Sequence, residues 1–368
     1  MPNRTSNRCD TAAASRLRGN LLFLFRAIPF ILLLFIIYTG QTNAAPGAPE
    51  NPGDDGFDTF EDAPLGEPLS NPPWFKLTFL DLSEDLADAL NNGKQGLIIY
   101  FGQKYCSYCK KLLEGNFGML DILAYTQKHF DVIGIDIHGQ REVTALDGSL
   151  WNERSFSVRK KVNFTPTLIF LDRNKREALR LSGFYPPYKF RAALEYVAGG
   201  YYLGEDFRTY LARADVPLVF DAGDLNQEDF FSPAPYALDR SRWPGERPLV
   251  VFFEQGDCHA CDVLHTGPLR QDDISRQFSQ LEAVQLDMWS DTPVLTPAGE
   301  KTTAKKWAAE LGLFYTPTLI FFDERGEEIL RVDSVVQFYR LRNVLEYVIS
   351  GAYRHYATFQ QWRNATKR

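Results

Sequence analysis

Four cysteines stand in two C-x-x-C pairs, Cys106/Cys109 and Cys258/Cys261, in a chain of 368 residues that has five cysteines in all. Each pair closely follows an apolar run, Leu97 to Phe101 and Leu249 to Phe253, and opens a stretch of helical character. The start of a helix offers unpaired N–H groups and the positive end of the macrodipole, which favour a thiolate on the first cysteine. Two intervening residues let the second sulfur reach back over one turn and attack a mixed disulfide, the geometry of thiol–disulfide exchange. Other chemistries use such cysteines too. A zinc site shared by both pairs would have to join residues 152 positions apart. A local metal site would draw on Cys258, Cys261, His259 and His265, but no histidine lies close to the first pair. A plain structural disulfide is the third alternative. Covalent haem needs C-x-x-C-H, and Lys110 and Asp262 hold that fifth position, which excludes it.

The elements that must position these cysteines occur twice. FTPTLIF at 164–170 returns as YTPTLIF at 315–321, and LEYV at 194–197 returns at 345–348. The offset is 151 at the prolines and 152 at the cysteines, so a domain has been duplicated; solenoid repeats are far shorter, roughly 20–50 residues. In the first copy Ser83 is expected to cap a helix reaching Leu90. Strands are expected at Leu97–Phe101, Phe130–Ile137, Thr167–Leu171 and Ala178–Leu181, a polar insertion over 138–152, and a closing helix from Tyr188 to Val197. The second copy predicts strands Leu249–Phe253 and Leu281–Met288, a helix over Lys301–Leu311, a hairpin at Asp323–Gly326 and a helix Phe338–Ile349. The pattern is α/β: two tandem domains, each a central mixed sheet flanked by helices.

Composition fits this reading: 45% of residues are apolar and 24% charged, which excludes a mostly disordered chain and a polytopic membrane protein. A formal charge of −7 makes nucleic acid a poor partner. Residues 1–44 have the layout of a secretory signal: a basic segment with five arginines, the apolar run Ala27–Tyr38, and small residues before a cut after Ala44. A membrane anchor over 21–38 is the rival, weakened by Arg26 and Pro29 in the stretch. Either reading takes the rest of the chain out of the cytoplasm, to the periplasm or another extracytoplasmic space. Cys9 falls in this leader, whose net charge of +4 leaves about −11 on the remainder of the chain. Residues 45–73 hold seven prolines and seven acidic residues and no Lys or Arg, so a disordered acidic linker is expected there. The domains are then expected over 74–213 and 214–368.

A strand, C-x-x-C, a helix, and T-P-T before a hairpin resemble the thioredoxin fold, over about 75–200 and again over 215–355. FGQKYCSYCKKL and VFFEQGDCHACDVL look most like the periplasmic SoxW-type thioredoxins and related bacterial envelope thiol–disulfide reductases. The resemblance implies that Cys106 and Cys258 are exposed nucleophiles and that Cys109 and Cys261 are resolving thiols. It implies that Pro166 and Pro317 are cis and that Thr165 and Thr316 present backbone groups to a substrate strand. It implies reduction of disulfides in extracytoplasmic proteins, with no flavin, nicotinamide or metal, and with electrons from a membrane thiol transporter or another thioredoxin-like partner. An oxidase or isomerase, with His259 destabilising a disulfide, and a non-catalytic binding module are the alternatives. The sequence departs from the cytoplasmic thioredoxin pattern: W-C-G-P-C is absent, and Tyr100 and Phe252 stand where a buried acid is expected six residues before the first cysteine.

The surroundings of the two pairs differ. Lys104, Lys110 and Lys111 flank the first; Glu254, Asp257 and Asp262, with His259 and His265, flank the second. Cations favour a thiolate and carboxylates oppose it, so Cys106 is expected to ionise more readily than Cys258 and electrons to run from the second site to the first. The opposing reading makes these charges a solvated surface. The cluster Phe184-Tyr185-Pro186-Pro187-Tyr188 is expected to pack at the entrance to the closing helix or to line a substrate groove.

Overall fold

The computed structural model describes residues 59–214 and 225–366. The leader, its Cys9 and the linker up to residue 58 lie outside the described residues.

In the first domain α1 (Leu82–Asn91) is capped by Asp81 rather than Ser83, the Asp81 carboxylate accepting from the N–H groups of Ser83 and Glu84. Strand β1 (Gly96–Gly102) is buried at every residue, as a strand covered on both faces must be. It pairs in parallel with β2 (Phe130–Asp136) and antiparallel with β5 (Thr167–Asp172), and β6 (Glu177–Ser182) completes the order β2-β1-β5-β6. Alternation along β1 divides the core. Leu97, Ile99 and Phe101 pack with α1 and with Phe156 of α4 (Glu153–Arg159). Ile98 and Tyr100 face α2 (Ser107–Lys110, continued by a π-helical turn Lys111–Asn116), α3 (Leu120–His129) and α5 (Pro187–Ala198). The insertion is not merely polar loop: Glu142–Thr144 (β3) and Leu150–Asn152 (β4) form an antiparallel pair. Helix α6 (Phe207–Ala214) follows.

The second domain repeats this plan. Strand β8 (Leu249–Glu254) lies between parallel β9 (Glu282–Asp287) and antiparallel β12 (Thr318–Phe322), with β13 (Glu328–Val332) at the edge. One face carries α7 (His259–Thr266), α8 (Asp272–Phe278) and α10 (Phe338–Ile349); the other carries Trp307 and Ala308 of α9 (Ala304–Glu310). The helix expected from Lys301 begins at Ala304. Lys301–Thr303 is a strand, β11, paired with β10 (Pro293–Leu295), which in turn pairs with β7 (Tyr236–Ala237), and Thr303 caps α9. Helix α11 (Phe359–Thr366) ends the described chain.

Residues 59–73 correct part of the linker expectation. Phe60 packs edge-on against Tyr108 and Phe184, and Asp62 is buried. A carboxylate with enough protein donors has no need of water, and Asp62 has three: the Tyr108 hydroxyl and the N–H groups of Tyr339 and Arg340, each at 2.8 Å. It thereby satisfies the start of α10 in the second domain while holding the cysteine helix of the first.

Candidate redox sites

Each cysteine pair sits where strand becomes helix. Cys106 is the N-cap of α2 and Cys258 the N-cap of α7, both with extended backbone. The Cys106 sulfur accepts the N–H of Cys109 at 3.0 Å and the Cys258 sulfur that of Cys261 at 3.1 Å, so the first cysteine of each pair occupies the donor-rich helix end. Cys106–Cys109 and Cys258–Cys261 are both disulfide-bonded. The Thr165–Pro166 and Thr316–Pro317 bonds are cis. The structure brings both threonines to the sulfurs: Cys106 Sγ lies 3.3 Å from Thr165 Oγ1 and 3.6 Å from the Thr165 carbonyl, and Cys258 Sγ lies 3.6 Å from Thr316 Oγ1. Among the described residues no group of three or more His, Cys, Asp or Glu side chains is arranged to hold a metal ion. The local metal reading also loses His265, which bonds two glutamates instead.

The expectation of exposed nucleophiles is corrected: Cys106 is 6% and Cys258 8% exposed. The neighbours of each pair are packed against the other domain, because the described residues of both domains belong to one compact unit. Equivalent residues meet across a pseudo-two-fold axis. The Val335 N–H donates to the Phe184 carbonyl at 3.1 Å, and these two positions are related by the 151-residue offset. Arg340 lies 5.1 Å from the Phe164 ring, and its equivalent Lys189 lies 5.2 Å from the Tyr315 ring. Phe164 meets Phe359 of α11, and Phe207 of α6 meets Phe314. Gln360 donates to the Asn163 carbonyl at 3.0 Å, and its equivalent Arg208 donates to the Leu313 carbonyl at 2.6 Å. This is the self-complementary geometry of a two-fold dimer, realised inside one chain. Gly183 is at the centre of it. Its φ is +114°, and a Cβ there would lie 2.0 Å from Ser334 Oγ, so both backbone and space require glycine.

The aromatic cluster belongs to this contact. Phe184 and Tyr185 are buried, and Tyr185 stacks against Phe314 and meets Tyr315 edge-on; Tyr188 remains exposed. Full burial of an aromatic side chain contributes roughly 1.5–3 kcal/mol. The symmetry breaks at Arg340. Its guanidinium stacks 3.3 Å from the Tyr108 ring centre, inside the first C-x-x-C, and donates to the Thr165 carbonyl at 3.0 Å. The Tyr108 hydroxyl accepts from the Gln337 N–H at 2.8 Å. The Thr165 carbonyl, the group expected to meet a substrate strand, therefore already has a partner from the second domain.

The charged surroundings also separate into two kinds. Lys104, Lys110, Asp257, His259 and Asp262 are exposed. Glu254 and His265 are buried, against the solvated-surface reading, and sequence reasoning gave them no separate role. Two signals marked them: an acid ending the apolar run LVVFF, and a histidine one helical turn past Cys261.

The model of the thioredoxin-like domain family matches residues 82–198 and 235–349, and the chain belongs to that family. No curated protein matches it in sequence. Solved structures similar to it include a thioredoxin-fold protein from Helicobacter pylori, 19% identical with a TM-score of 0.31, the match covering 38% of this chain and 91% of that one. A thioredoxin from Thermus thermophilus is 24% identical with a TM-score of 0.27, over 34% and 91% of the two chains. The NTD_N/C domain of alkylhydroperoxide reductase AhpF from Enterococcus faecalis is 13% identical with a TM-score of 0.23, over 72% and 97%.

Proposed function

We propose that this protein is an extracytoplasmic thiol–disulfide oxidoreductase that reduces disulfides of other proteins at two C-x-x-C sites. The observation that carries the reading is the arrangement found twice: a first sulfur bonded to the helix-end N–H of the second cysteine, beside a threonine that precedes a cis proline. Placement outside the cytoplasm rests on the leader composition, and the preference for reduction on the family resemblance.

In the reduced chain the first cysteine, as thiolate, attacks a substrate disulfide. One substrate sulfur leaves with the electron pair of the broken S–S bond and takes a proton. The second cysteine then attacks the mixed disulfide, forming the intrachain disulfide and releasing the other substrate sulfur as a thiol. The substrate gains two electrons and two protons, and an external dithiol must restore the pair. At the first site a substrate strand pairing with the Thr165 carbonyl must displace the Arg340 guanidinium, so exchange there is coupled to loosening of the domain contact.

Insulin reduction with a chemical dithiol as donor tests the reading. Turnover is expected from the wild type and lost from the Cys106→Ser/Cys258→Ser double variant. No turnover from the wild type, or turnover that survives both substitutions, overturns it.

A further inference from the structure

Behind the second cysteine pair lies a buried polar cluster with no equivalent behind the first. His265 Nε2 is 3.1 Å from both oxygens of Glu254, and His265 Nδ1 is 2.9 Å from Glu228 Oε1. The Gln285 amide donates to Glu254 Oε2 at 2.6 Å and to the Asn226 carbonyl at 2.7 Å. Glu254 is 0% and His265 1% exposed. In the first domain the matching strand and helix positions are Gly102, Gly134 and Leu113. There Gly102 and Leu113 line a cavity of about 180 Å³ together with Tyr100 and Asp136.

The contacts fix how many protons the cluster holds. An ionised carboxylate only accepts, and a neutral imidazole has one N–H. Two ring nitrogens, each against a carboxylate, therefore require an imidazolium or a protonated carboxyl. Burial is the largest single influence on His265 and opposes its charge, but the bonds to Glu254 and Glu228 and their charges together outweigh it, so His265 holds its proton more tightly than an ordinary histidine. One imidazolium between two carboxylates leaves a net charge of −1. Arg270, 3.9 Å from Glu228, is at the solvent side, and Asp262 is turned out to Asn226. Cys261 and His265 are four residues apart on α7 and both buried, so they share a face. Helical side chains lean toward the N-terminus, which sets the imidazole over the turn that carries Cys261.

We propose that Glu254, His265 and Glu228 form a proton store coupled to Cys261, with Glu254 and His265 as positioning residues for the second pair alone. When Cys261 attacks the mixed disulfide on Cys258, its S–H proton passes to the anionic cluster. The Cys261–Cys258 bond forms as the bond from Cys258 to the substrate sulfur breaks. That sulfur leaves with the electron pair and is protonated from the cluster. The first pair, with a cavity in the same place, exchanges its proton with solvent.

This inference rests on the proposed exchange chemistry for its purpose but is tested without turnover. In a Cys258→Ser chain, with Cys9, Cys106 and Cys109 also replaced by serine, the pH profile of alkylation reports on Cys261, the one thiol left. Glu254→Gln removes negative charge and is expected to lower the midpoint by roughly one pH unit; His265→Gln removes the cation and is expected to raise it by a similar amount. A role confined to packing would move both variants the same way, toward an ordinary thiol. Shifts in one direction, or none in either variant, overturn the proposal. Glu254→Gln keeps the size and polarity of the residue, so one arm survives if His265→Gln does not fold. Absence of insulin turnover in the wild type would remove the functional reading and leave opposite shifts here intact.

Discussion

The first and second cysteine pairs share a backbone plan and differ in what surrounds it. The first is gripped from outside: Asp62 and Arg340 close on Tyr108, and Arg340 takes the Thr165 carbonyl. The second is furnished from inside, by Glu254 and His265 behind α7. The duplicated copies thus differ in what lies against the cysteines, a contact from the other domain at one and buried charged side chains at the other. Identical motifs therefore do not imply identical sites.

Removing the proposed nucleophiles singly is the strongest way to break this comparison. Cys106→Ser and Cys258→Ser are each expected to lower exchange at their own site by roughly 10³-fold or more, as loss of a nucleophile does. Single-turnover reduction of a fluorescent disulfide, read separately for each variant, checks it. If either variant loses both activities, the sites act in series and cannot be compared as independent.

Asp62 comes next in size. Its carboxylate holds three donors and lies close to the buried Arg340 charge, whose ionisation burial opposes and Asp62 supports. Leaving a buried charge without its partner costs about 3 kcal/mol. Asp62→Ala is expected to lower stability to urea by that amount and to speed alkylation of reduced Cys106 while leaving Cys258 unchanged. Equal acceleration at both cysteines would show that the contact guards both sites alike.

How much of this was legible in the sequence depends on the distance over which each feature is built. The cysteine pairs, the strand before each and the Thr-Pro partners are local, and the 151–152 offset makes each copy a check on the other. Three-residue strands such as Glu142–Thr144 are too short to show alternation, so the insertion read as loop. Asp62 looked like one more acid in a proline-rich linker because its donors Tyr339 and Arg340 are 277 and 278 residues away. Glu254 carried a signal, an acid at the end of a buried strand, but its meaning depends on His265 and Gln285 arriving from other elements. The face-to-face docking left traces only as aromatics without a stated partner, Phe184 and Tyr185 among them.

The domain contact should respond to pH through Asp333, just past β13. Burial pushes its carboxyl up to about 6, against the lowering influence of Arg331. Unfolded, the same group releases its proton near 3.9. The folded state therefore holds a proton that the unfolded chain has lost, and stability falls as pH rises from about 4 through 6. With allowance for partial exposure the loss is about 2 kcal/mol. Asp333→Asn is expected to flatten the urea midpoint over this window. An unchanged slope would remove Asp333 as its source.

The finest test sets the two halves of the interface against each other. Lys189 and Arg340 are equivalent residues, yet their surroundings are not. Lys189 donates to the Phe314 carbonyl at 2.9 Å from a partly exposed position. Arg340 is buried on Tyr108 and reaches the first site's Thr165. A hydrogen bond from a charged donor contributes about 1.5–3 kcal/mol when buried, and solvent competition brings Lys189 toward 1 kcal/mol or less. Lys189→Ala should therefore shift the urea midpoint slightly and leave Cys106 alkylation at the wild-type rate, whereas Arg340→Ala should raise that rate. Matching effects from the two substitutions would mean that the interface is symmetric in energy as well as in sequence, and that the first site is not singled out by the contact.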